Sequence, residues 1–122
     1  MRAYVPGTLP DVLRWHAAGA VPAGTRINAV TSALRTQHPD ADDEELEFLA
    51  TKAAEETSTV AAMTTGHRRA TLAVDLPSDA VEQLPGATSS LIMTAEVPIA
   101  DWAALFVDDL QWYAVDEIPH LA

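Results

Sequence analysis

At 122 residues, with 48% hydrophobic and 20% charged, the chain has the size and composition of a single globular domain with a buried core. It contains no cysteine, which excludes disulfides, zinc–thiolate sites, iron–sulfur clusters and thiol catalysis. Seven basic residues stand against 18 acidic ones, and a net charge of −11 repels phosphate backbones and anionic lipid heads, so neither a nucleic-acid nor a membrane partner is expected.

Residues 2–6 alternate and carry Tyr4 and Val5, which predicts a first strand broken by Pro6-Gly7. Thr8 with Asp11 three residues on has capping-box spacing, and Leu9, Val12, Leu13, His16 and Ala20 fall on one helical face, with Gly19 as the stop. Pro22 and Gly24 mark a loop. Arg26 to Val30 reads as a second strand, and Ser32 to Gln37 as one or two helical turns. Asp42 as N-cap, Glu45 at N3 and the stop Gly66 delimit a long helix over about 43–64, with a predicted apolar stripe of Leu46, Leu49, Ala50, Ala53, Val60 and Ala61.

Arg68 to Leu76 alternates cleanly, with Ala70, Leu72, Val74 and Leu76 on one face, and predicts a half-buried strand. Pro77-Ser78-Asp79 introduces a short helix near Ala80 to Leu84. Ser89 to Val97 is a strand, Pro98 to Ala104 a helical turn carrying Trp102, and Leu105 to Val107 a strand ending in an Asp108-Asp109 turn. Gln111 to Ala114 pairs back as a hairpin strand, and Asp116 to Leu121 forms a final turn or short helix. Helices alternating with strands imply an α/β domain, with α+β as the variant. It has a single mixed sheet of about five or six short strands covered by helices, and spans residues 1–122.

No reactive motif stands out. Asp40, Asp42, Asp43, Glu44, Glu45 and Glu47 form a dense acid run, but capping and the helix dipole explain it without a metal. The four histidines are scattered singly, and His16 on an apolar stripe reads as a core residue. There is no nucleophile elbow, phosphate loop or dinucleotide fingerprint, so no cofactor is expected. The C-terminus is unusual. Trp112 and Tyr113 are adjacent large aromatics flanked by Asp108, Asp109, Asp116 and Glu117, where chain ends are normally small and polar. On a strand the two rings point to opposite faces, one toward the core and one toward solvent.

Several blocks lie in the order of an uncharacterised actinobacterial domain family of unknown function. They are Met1-Arg2-Ala3-Tyr4-Val5-Pro6, Ala29-Val30-Thr31, Asp43-Glu44-Glu45-Leu46-Glu47, Ala73-Val74-Asp75-Leu76-Pro77, Val107-Asp108-Asp109 and Trp112-Tyr113-Ala114-Val115-Asp116-Glu117-Ile118. The chain resembles that family over most of its length. It departs in having only Leu110 and Gln111 between the last two blocks, and Asp at 116 where the pattern has Gln. The resemblance implies one soluble cytosolic domain and brings no activity.

Two readings remain open. The first is a small cytoplasmic regulatory or protein-interaction domain, self-associating and without catalysis, whose partner surface is drawn from Tyr4, Trp112, Tyr113, Asp116 and Glu117. The alternative is a small carboxylate-based enzyme or a metal- or small-molecule-binding domain, with Asp108 and Asp109 as candidate ligands. It predicts a concave pocket holding Asp108, Asp109 and Glu117, with Tyr4 near them if the first and last strands are close.

Overall fold

The computed structural model describes residues 1–84, 86–108 and 111–121. Nine strands occur among them: β1 Arg2–Thr8, β2 Ala20–Val21, β3 Arg26–Ala29, β4 Arg69–Asp75, β5 Val81–Gln83, β6 Ser90–Met93, β7 Val97–Pro98, β8 Trp102–Val107 and β9 Gln111–Tyr113. The helices are α1 Leu9–Ala18, α2 Ser32–Gln37 and α3 Asp43–Thr65, with short 3₁₀ segments at Ile99–Asp101 and Val115–Leu121.

Seven strands form one sheet in the order β5-β6-β3-β1-β4-β8-β9, and β2 pairs with β7 as a separate ribbon. The α/β composition and single main sheet are as expected. The sheet has seven strands rather than five or six, and every pairing is antiparallel rather than mixed.

One face of the sheet carries Val5, Leu72, Val74, Leu105 and Val107, packed beneath α1, the β2–β7 ribbon and the closing 3₁₀ helix. Trp15 joins this core at 8% exposure. It lies beside the stripe predicted for α1, on the side where that helix meets β1. His16 sets its ring edge-on to Trp102, centroids 6.0 Å apart, while Trp102 Nε1 donates to the Val97 carbonyl at 3.0 Å.

The opposite face is covered by α3, which lies over β1, β4 and β3. Its bounds follow the sequence signals. The Asp42 carboxylate accepts the Glu45 N–H at 2.8 Å, and Gly66 ends the helix with φ +75°, a conformation that glycine adopts without strain. Its buried stripe, however, is Leu46, Ala50, Ala54 and Ser58, while Val60 is exposed. A helix laid flat on a sheet approaches closest where its side chains are smallest, so contact selects Ala and Ser at every fourth position over the larger Val. A small second core of Leu34, Leu46 and Ala50 fills the space beneath α2 and α3.

Several other segments differ from expectation; Trp102, expected on a helical turn, begins β8, and the expected Ser89 to Val97 strand is split into β6 and β7. β1 runs through Pro6-Gly7 because β3 pairs only with Ala3 and Tyr4, so beyond Tyr4 there is no ladder on that side for a proline to interrupt. Val81–Gln83 is an edge strand paired with β6, not a helix. β4 is buried on both faces rather than half-buried, because α3 covers Thr71 and Ala73.

Candidate functional site

The C-terminal block divides across the sheet as strand geometry requires. Tyr113 pairs with Leu105 and packs against the main core, whereas Trp112 pairs with Phe106 on the α3 side and is 58% exposed. α3 packs mainly on β1, β4 and β3, and toward the β9 end of that face Trp112 and Phe106, opposite each other in register, form an aromatic shelf.

The backbone at this edge is also open. The Asp108 N–H donates to the Arg69 carbonyl, so the Val107 carbonyl points to β9 and the polar groups of Phe106 point to β4. Phe106 and Trp112 are therefore a non-hydrogen-bonded pair, and Trp112 turns its own N–H and C=O outward along the free edge of the sheet.

Around this strand the polar groups are tied up locally. Arg68 pairs with Asp108 at 3.0 Å and bonds the Gln111 side-chain Oε1, which also accepts from Tyr113 Oη at 3.4 Å. Asp108 sits at φ +54°, the described non-glycine residue in the left-handed region. Glu117 Oε1 accepts the Ala114 N–H at 3.0 Å and so caps the final 3₁₀ helix, and Asp116 is exposed. Asp109 lies outside the described residues.

Tyr4 is not part of this group. It stands on β1 with β4 and β8 between it and β9, about 14 Å away at the usual strand spacing. Its hydroxyl donates to Glu47 Oε2 at 2.6 Å, which ties β1 to α3. Of the other acids of the 40–47 run, Asp42 is engaged in the helix cap and Asp43 pairs with Arg35 at 3.0 Å. Among the described residues no three His, Asp or Glu side chains are grouped to hold a metal ion.

Burial, with help from the bond to the Glu47 carboxylate, pushes the Tyr4 hydroxyl above its ordinary value of 10.0. The fold therefore favours the protonated form. That stability is fully present below pH 10 and is lost as pH rises through the higher folded value, because the unfolded chain releases the proton first. Tyr4→Phe is expected to cost about 1 kcal/mol at neutral pH. The difference from the parent should shrink above pH 10, as read by urea titrations across pH. A pH-independent difference would place the stabilisation in ring packing alone.

A second candidate site was not singled out in the sequence. Between α3 and the β3–β6 pair lies a cleft of about 430 Å³ lined by Arg26, Asn28, Ala53, Glu56, Val60 and Ser90 among others. Arg26 Nη2 donates to Ser90 Oγ at 2.9 Å, and Asn28 Nδ2 donates to Ser89 Oγ and Ser90 Oγ at 3.1 and 3.2 Å. Asn28 is only 2% exposed, and its Oδ1 is a buried side-chain atom with no partner among the described residues. Whichever way the amide is turned, one of its polar atoms is left over, at a cost of about 1–3 kcal/mol. The available signal was a polar residue inside the apolar strand Ile27-Asn28-Ala29, but its serine partners lie more than sixty residues on.

Among the described residues no helix is long and apolar enough to cross a membrane. No curated protein and no solved structure matches the chain. A family model does match, from Met1 to Gln111, and the exposed Trp112 follows directly after the matched stretch. The chain therefore belongs to that family, a family of unknown function (DUF6912).

Proposed function

We propose that this is a small cytoplasmic interaction domain, without catalysis of its own, that self-associates through the edge strand β9. The observation that carries the reading is Trp112, exposed at the centre of a three-residue edge strand whose outward backbone groups are free to pair. Such an edge is self-complementary. A two-fold axis at Trp112 pairs Gln111 with Tyr113 of a second copy. Trp112 then meets its counterpart in a hydrogen-bonded pair, with both indoles on one face against the Phe106 shelf. Trp is favoured at such centres because it brings large contact area with little conformational entropy to lose.

The contact is small, which places it among weak, transient interfaces. Two copies each carrying −11 repel one another, so association should strengthen as salt screens that repulsion. Sedimentation velocity over a concentration series is expected to show a monomer–dimer equilibrium that tightens with added salt. Trp112→Ala, which removes an exposed side chain, should abolish the dimer and leave thermal stability unchanged. A strict monomer at high concentration in both low and high salt would overturn the reading, as would a Trp112→Ala variant that dimerises like the parent.

A further inference from the structure

We infer that the cleft between α3 and the β3–β6 pair is a binding site for a small zwitterion of the amino-acid class, its carboxylate held by Arg26 and its ammonium by Glu56. This inference is independent of the β9 edge, which lies at the far side of the sheet.

The argument begins with Arg26. Acids outnumber bases 18 to 7 in this chain, and Arg2, Arg14, Arg35 and Arg68 are each paired with an aspartate. Arg26 instead reaches into the cleft and bonds the Ser90 hydroxyl. One hydroxyl leaves most of a five-donor guanidinium unused, and its fork geometry matches a carboxylate. Glu56 lines the same cleft from α3. Among the described residues it has no hydrogen-bond or ion-pair partner, and it makes no ion pair with Arg26. Opposite charges are thus held apart on two walls of one cavity.

Ala53 and Val60 flank Glu56 on the α3 wall and present apolar surface for a methylene spacer. Asn28 also lines the cleft, and its buried amide has one polar atom without a partner among the described residues. A simple anion would meet both Glu56 and the long-range field of a −11 protein. A zwitterion has no net charge for that field to repel, and it satisfies both walls at once. The volume of about 430 Å³ leaves ample room for a ligand of this size.

The test uses the folded chain and follows amide and side-chain NMR signals of Asn28, Thr57, Ser89 and Ser90. The titrants are glycine, β-alanine, γ-aminobutyrate and ε-aminocaproate, which carry the same two charges at growing separation. Acetate, phosphate and ethylamine serve as controls. At least one zwitterion is expected to shift these signals saturably, with the controls weaker by about tenfold or more. Arg26→Gln and Glu56→Gln alter exposed side chains, and each should weaken the best zwitterion by a similar factor while the remaining spectrum stays that of the parent. Absence of saturable shifts with all four zwitterions overturns the inference. So does acetate or phosphate binding as tightly as the best zwitterion, or either variant retaining parental affinity.

Discussion

Ser58→Ala is expected to destabilise the domain by about 2–3 kcal/mol, although the change removes a single oxygen. Ser58 is fully buried on the sheet-facing side of α3. Its hydroxyl accepts the Gly7 N–H at 3.1 Å, donates to the Ala70 carbonyl at 2.9 Å and lies 3.2 Å from Thr71 Oγ1. Gly7 and Ala70 face each other in the β1–β4 register, so the hydroxyl acts as a rung of the ladder between the two central strands, supplied by the helix above them. Alanine fits the space but strands a buried donor and a buried acceptor.

Gly7 is itself constrained. A Cβ there would stand 3.1 Å from Asp11 Oδ2 and 3.3 Å from Trp15, so α1 leaves no room for a side chain at this position. Urea denaturation gives the energy, and hydrogen exchange at the Gly7 amide reads the lost bond. A loss below about 0.5 kcal/mol, with Gly7 still protected, would show that the strands re-pair without the serine. Thr57→Ala, one position away and only partly buried, is the matched control.

The same residue illustrates what could be read in the chain and what could not. Local chemistry was readable: Asp42 and Gly66 mark the ends of α3 within a residue or so, the alternation of 68–76 marks β4, and the adjacency of Trp112 and Tyr113 forces them to opposite faces. The sheet-facing stripe of α3 was not, because hydrophobicity points to Val60 while proximity to the sheet selects Ala54 and Ser58. Val81–Gln83 carries too few residues to show a period, and only its pairing with β6 makes it a strand. Strand order escapes sequence for the same reason. Tyr4 and Glu117 belong to one cleft only if β1 neighbours β9, and β4 and β8 stand between them. The Arg26–Asn28–Ser90 cleft joins segments more than sixty residues apart, so no local pattern announces it.

The second large effect is expected at Ile118. The closing 3₁₀ helix, expected from the sequence as a final turn or short helix, packs on α1 and β8, and Ile118 is completely buried in the main core that also holds Leu105 and Val107. Truncating such a side chain removes its transfer free energy and leaves a cavity that strands on a rigid sheet cannot collapse to fill, so Ile118→Ala should cost about 2–5 kcal/mol. For a domain of this length that corresponds to a fall in Tm of roughly 10 °C or more. His120→Ala alters an exposed residue of the same helix and should leave Tm unchanged within about a degree or two. Two outcomes separate the roles of the block. If Ile118→Ala lowers the global transition as expected, the tail is part of the cooperative fold and the exposed Trp112 is presented on a rigid frame. If the global transition holds while only residues 115–121 gain hydrogen exchange, the helix is a separable flap, and the rigid edge that β9 needs for pairing with a second copy would have to be held by β8 alone.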